Sequence, residues 1–157
     1  MLLILSKGRV IMNDDKLLVS GLIGAVSTIP AEIASQSLIY CGLGKYSIYQ
    51  LASLFITLNR PTFLLGLILD MLAGGFVAII FYLAFRCKDS RNIGIMAVMT
   101  SLFAWLFCEL VFTFFLEGRF FPLRPINDYY SNLISALIFG ISLALLYKRF
   151  CLSKNIS

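Results

Sequence analysis

Three acidic residues stand inside long apolar runs of this sequence: Glu32, Asp70 and Glu109. A carboxylate in the middle of a membrane span costs roughly 2.5–3.5 kcal/mol on insertion scales, so each of the three needs a physical account. Acids gathered in an apolar setting can take up a proton, hold a metal cation, or bind a cationic or polar substrate. The chain has no histidine. That removes His-ligated haem and zinc, Ser–His and Cys–His nucleophile pairs, and imidazole pH sensing. An oxygen-only site of this kind suits a hard cation better than a soft one, and the metal, if any, is left open. No cofactor is expected.

The elements that must position these acids follow from composition. The 157 residues are 60% hydrophobic and 13% charged, with a mean hydropathy of +0.92. Soluble domains run about half apolar and about a quarter charged. The excess lies in runs long enough to cross a bilayer, which predicts an all-α polytopic membrane protein with spans over about 17–40, 62–84, 93–116 and 133–147. A start of the fourth span as early as Tyr129 is open. The first run has no A-x-A cleavage pattern and is too long for a signal h-region, so it reads as a retained helix. Residues 1–16 read as a cytoplasmic segment and 148–157 as a cytoplasmic tail. Met12 followed by Asn13, Asp14, Asp15 and Lys16 looks like an ordinary start, so residues 1–11 read as an upstream extension or a short interfacial segment.

Basic residues orient the spans. Lys7, Arg9, Lys16, Arg86, Lys88, Arg91, Lys148, Arg149 and Lys154 fall on one side, and Lys45, Arg60, Arg119 and Arg124 on the other. The positive-inside rule then places both termini in the cytoplasm, as in a bacterial inner membrane. The basic rim against anionic lipid accounts for the pI of 9.2, so no nucleic-acid partner is expected. Lipid is the first partner, with a second copy of the chain or another membrane protein as further candidates. Between the first two spans, residues 45–58 place Tyr46, Leu51, Leu54, Phe55 and Leu58 largely on one helical side, which predicts an amphipathic helix on the outer interface. The four cysteines, Cys41, Cys87, Cys108 and Cys151, form no CxxC pair, so zinc-ribbon and thioredoxin readings fall away. They read as small apolar filler, with S-acylation of Cys87 and Cys151 as the alternative.

Depth unites the three acids. Glu32 lies eight residues before Tyr40, Asp70 eight after Thr62, and Glu109 seven before Leu116. At about 1.5 Å per residue, all three sit roughly 10–12 Å below the outer boundary. Small residues mark the faces that would bring them together. Gly66 and Gly74 flank Asp70 at a spacing of four. Ala97, Ser101, Trp105 and Glu109 form one ridge, and Asn132, Ala136, Gly140 and Ala144 another. Thr28, Glu32 and Gln36 share a ridge of the first span, loosened by Pro30. The expected site is therefore a polar pocket of Glu32, Asp70, Glu109, Gln36 and Asn132, with packing carried by Gly66, Gly74, Ala136 and Gly140. Two readings stay open. The acids either bind a proton, cation or substrate, or they pair with Arg60, Arg119 and Arg124 and fix helix register. The stiff loop 117–130, rich in proline and aromatics, reads as an interfacial lid. Its Arg119 and Arg124, with Arg60, could instead hold a phosphate or carboxylate above the acids. Asn127 and Asp128 read as a cap for the fourth span.

The order of features resembles the YagU-like group of small four-span bacterial inner-membrane proteins. The resemblance covers roughly 17–147. It rests on Gly21–Ser27 with the acid Glu32 beyond it, on Ile93–Val98 at the start of the third span, and on a Pro/aromatic loop leading into Asn132–Gly140. That group carries His where this chain has Ala136, so no role carries over at that position. The resemblance implies the four-span architecture and no chemistry. Enzyme families fit less well. Lipoprotein signal peptidases need two aspartates in particular contexts, and Asp70 with Asp128 lacks them. Gly-x-Gly-Asp proteases need glycine where Ile68 stands. Small multidrug exporters share four spans and a membrane Glu but are much shorter. The expectation is a transporter or transporter-like subunit with a carboxylate site, the alternatives being a non-catalytic accessory subunit and, more remotely, a carboxylate-dependent intramembrane hydrolase.

Overall fold

The computed structural model describes residues 2–85 and 92–152, with side chains over 16–85 and 92–150. Five α-helices follow one another: α1 (Leu2–Tyr40), α2 (Ile48–Thr57), α3 (Phe63–Phe85), α4 (Ile93–Phe115) and α5 (Ile126–Tyr147), closed by a π-helical turn at Lys148–Leu152. No strand occurs among the described residues. Four segments are long and apolar enough to cross a membrane: Lys16–Tyr40, Phe63–Phe85, Ile93–Phe115 and Ile126–Phe150. The short apolar helix α2 makes the fifth element. α1 runs unbroken through the region expected to be an upstream extension or a short interfacial segment, and α5 begins at Ile126, seven residues before Leu133 and three before the earlier start at Tyr129. Cys87 and the bases Arg86, Lys88 and Arg91 fall outside the described residues, as do the side chains of Lys7, Arg9 and Cys151.

Burial is inverted relative to a water-soluble bundle. Leu18, Leu22, Leu64, Leu72, Phe76, Ile95, Phe103, Phe107 and Phe114 are exposed, while Ser20, Ser27, Ser35, Ser101, Ser131 and Ser135 are buried. Lipid tails are as apolar as leucine, so large side chains gain nothing by turning inward. Small residues gain close backbone approach and interhelical hydrogen bonds. Ser20 Oγ donates to the Ala78 carbonyl across α1 and α3 at 2.8 Å, and Ser101 Oγ donates to the Ala136 carbonyl across α4 and α5.

Those contacts set the arrangement. α1 packs against both α3 and α5, α4 packs against α5, and α2 lies against α3, whereas α3 and α4 barely meet. Four glycines decide the spacing. A methyl group at Gly24 or Gly74 would run into the facing helix of the α1–α3 pair, and one at Gly66 would collide with the Tyr49 carbonyl of α2. At Gly140 it would come within 2.8 Å of Val98 Cα and 3.0 Å of Ser101 Cβ on α4. The ridges expected to carry packing therefore sit at helix contacts. Two apolar clusters close the bundle lengthwise. One gathers Ile23, Ala78, Phe81, Leu143 and Tyr147. The other joins Leu51 and Leu54 of α2 to Phe112, Leu116 and Phe121.

Candidate functional site: an intramembrane cavity beside Asp70

Between the two clusters lies a cavity of about 350 Å³, reached by residues of all five helices and by Arg124. α2 roofs it through Ile48, Leu51, Ala52 and Phe55, while α3 and α4 form its flanks. Because those two helices barely touch, and Ala73 and Cys108 on the rim are exposed, the cavity opens sideways between α3 and α4. Most of its wall is apolar. Its polar exceptions include Asp70, Glu109, Arg124, Asn132 and Trp105.

The three acids expected to act together have different surroundings. Glu32 is 5% exposed and does not line the cavity. Its Oε1 accepts from Gln36 Nε2 at 2.8 Å, and its Oε2 accepts from the Tyr49 backbone N–H at 3.2 Å. Tyr49 stands in the first turn of α2, so Glu32 occupies the positive end of that helix. Ser35 takes the Ile48 N–H, and Ser47 with Gln50 completes a reciprocal capping box. The first turn of α2 is thereby satisfied, and α2 is docked on α1. Gln36 serves this arrangement and does not line the cavity.

Glu109 is held by a cation. Arg124 Nη2 donates to Glu109 Oε2 at 2.6 Å, Arg124 Nη1 donates to Glu109 Oε1 at 3.5 Å, and Asn132 Nδ2 donates to the same Oε1 at 3.1 Å. Arg124 also meets Glu117 Oε2 at 3.4 Å, its side chain 1% exposed. The guanidinium stacks between Phe112 and Tyr129, with 4.3 and 4.5 Å to the ring centroids. Burial opposes the charge of Arg124, but the hydrogen bond and charge of Glu109, with Glu117 behind them, raise its pKa above the ordinary value. Glu117 is the mirror case. Burial raises its pKa, yet the Arg124 backbone N–H, the Tyr129 hydroxyl and the Arg124 charge outweigh this and hold its carboxyl below the usual range.

Asp70 differs from both. It lines the cavity, half-buried, and among the described residues its carboxylate has no hydrogen bond or ion pair. Asp70 and Glu32 lie near Tyr49. The Tyr49 phenol is pushed up chiefly by burial, against the hydrogen bond with Thr28 and with the two acids adding to the rise.

The remaining expected contacts divide. Asn132 lines the cavity and binds Glu109. Arg60 and Arg119 are exposed and line no part of the cavity, so neither stands over the acids. Arg60 is carried away by the turn after α2, where its own carbonyl accepts from Thr57 Oγ1 at 2.7 Å. Asn127 and Asp128 do not cap α5; Pro125 stands at that position without a side-chain cap. Asp128, fully buried in the first turn, instead accepts from the Lys45 backbone N–H and ties the α1–α2 loop to α5.

No protein-family model, curated protein or solved structure matches the chain.

The geometry therefore stands alone, and it includes one residue that sequence reasoning did not single out. Glu117 accepts from the Arg124 N–H at 2.7 Å and from the Tyr129 hydroxyl at 2.7 Å, folding the α4–α5 loop onto itself. A signal existed in the sequence: an acid just past the end of a span, facing a basic residue across a proline-stiffened loop. Among the described residues, no group of three acids or cysteines is placed to hold a metal ion.

Proposed function

We propose that this chain is a small transporter or transporter-like subunit of the bacterial inner membrane, both termini cytoplasmic, whose working ionisable group is Asp70. One observation carries the reading. Among the described residues, Asp70 lacks the partners that satisfy Glu32 and Glu109, and it faces a cavity open to the side of the bundle. A carboxylate left bare in an apolar wall is discharged by a proton or a cation, and loading and unloading that charge is the elementary step of a coupled carrier. With the termini inside, α2 and the 116–125 loop cover the outer end. The YagU-like resemblance belongs to the same proposal and supplies the architecture alone. The full partnering of Glu32 and Glu109 favours, for those two residues, the register-fixing role of an accessory subunit.

Labelling by a hydrophobic carbodiimide tests the assignment, since the reagent attacks protonated carboxyls reachable from an apolar phase. The other titratable or charged groups facing this region are Glu32 on α1, Tyr49 on α2, Cys108 and Glu109 on α4, and Arg124 before α5. The expected result is modification at Asp70, read by peptide mass spectrometry across a pH series, with Glu32 and Glu109 spared. A protein whose Asp70 stays unlabelled at every pH, or whose Asp70→Asn variant keeps the full cellular phenotype, refutes the reading.

A further inference from the structure

The cavity also carries information about what it would load. Among the described residues lining the cavity, Asp70 and Glu109 are the acids and Arg124 the base, and Arg124 pairs with Glu109 and with the adjoining Glu117. Arg124 is already committed to Glu109 and Glu117, so Asp70 is left uncompensated. Asn132, 3% exposed, is set back in the cavity wall. Its Nδ2 is used by Glu109, but its Oδ1 is buried without a partner. Phe55, Trp105 and Phe139 supply aromatic walls, the surface that cations lacking strong hydration prefer. At about 350 Å³ the space falls in the range of small-molecule sites, and it opens between α3 and α4.

We propose that the cavity binds a lipophilic organic cation, a quaternary or protonated amine or its phosphonium equivalent with bulky apolar substituents. It enters between α3 and α4 and sets its charge between the Asp70 carboxylate and the ring of Trp105. This rests on Asp70 being the working acid and names the substrate class for that same site. The buried and unpartnered Trp105 Nε1–H and Arg124 Nε–H are donors and would favour an anion. The excess of carboxylates over arginine decides for the cation.

Tetraphenylphosphonium and tetraphenylborate share shape and size and differ in charge sign. They are titrated into the full chain in phosphatidylcholine nanodiscs. Trp105 is the one tryptophan of the chain and lines the cavity, so its fluorescence reports occupancy directly. The expected result is a saturable change with the phosphonium and none with the borate, with protection of Asp70 from the carbodiimide over the same concentrations. Asp70→Asn, isosteric and removing no hydrogen bond, should weaken phosphonium binding by about tenfold or more, the worth of a desolvated charge pair. Ala73→Phe, at the lateral opening, should abolish it while Asp70 remains labelled. Equal or stronger saturable binding of the borate overturns the proposal in favour of an anion. Phosphonium binding undiminished in Asp70→Asn overturns it too. An Asp70 that labels but is not protected by the phosphonium refutes the cation substrate and leaves the proton site standing. An Asp70 that does not label removes both.

Discussion

Replacing Arg124 by methionine keeps a long side chain between Phe112 and Tyr129 but strips the cation from two carboxylates. Their losses differ. Glu117 retains the Tyr129 hydroxyl and the Arg124 backbone N–H, both at 2.7 Å. Glu109 retains only the Asn132 amide at 3.1 Å after losing its 2.6 Å partner. With the arginine side chain 1% exposed and that of Glu109 12%, this counts as a buried pair. Removing one member of such a pair costs about 3–5 kcal/mol, chiefly because the other charge stays behind unpaired. Glu109→Gln alone should cost less, about 1–2 kcal/mol, because Arg124 keeps Glu117 and the amide can still accept one hydrogen bond. The double variant should then recover part of the Arg124→Met loss, giving a coupling of about 1–3 kcal/mol between the positions. Thermal or denaturant unfolding of the purified protein, followed through Trp105 fluorescence and circular dichroism, measures each corner of this cycle. An Arg124→Met protein as stable as the parent, or strictly additive losses, would refute the claim that Arg124 neutralises Glu109.

Gly66→Ala should cost about 1–3 kcal/mol, because the added methyl must displace the Tyr49 carbonyl and with it α2; the same unfolding series checks this. Ser47→Ala removes the capping hydroxyl of α2 and should cost about 0.5–2 kcal/mol, with faster hydrogen exchange confined to the first turn of that helix. Stability should fall on acidification. Glu117 titrates lower in the folded protein than unfolded, so its contribution is complete above the ordinary glutamate value and is lost as pH drops through the lowered one. Glu117→Gln should flatten that part of a stability-against-pH profile.

Much of the site was legible in the residues themselves. Large apolar runs punctuated by three acids announce spans with an interior to hide charge in, and small residues at a spacing of four announce which faces meet. Gly66, Gly74, Ala136 and Gly140 all lie at helix contacts for that reason. The helix between the first two spans was visible too, since its apolar positions share a side, whereas the Ser47–Gln50 capping box that starts it emerged only in the structure. Less legible was the sharing out of partners. Depth along a span follows from counting, but the direction in which a carboxylate points depends on which neighbouring helix offers a donor. Glu32 meets the amide end of α2, a group that exists only once residues 47–50 have turned. Glu109 meets an arginine fifteen residues on, delivered by a loop that Glu117 folds back.

Sequence alone determined that this chain is helical, that four of its segments are long and apolar enough to cross a membrane, and that its buried chemistry rests on carboxylates without histidine. These are local or compositional properties, set by run length, periodicity and residue type. Tertiary structure decided that α3 and α4 stand apart, that a cavity fills the gap, and that Asp70 faces it with no partner among the described residues while Glu32 and Glu109 are spent on holding α2 and Arg124. Those outcomes depend on which backbones can approach closely, and each close approach is agreed between residues distant in the chain, such as Gly24 with Gly74 and Gly140 with Val98.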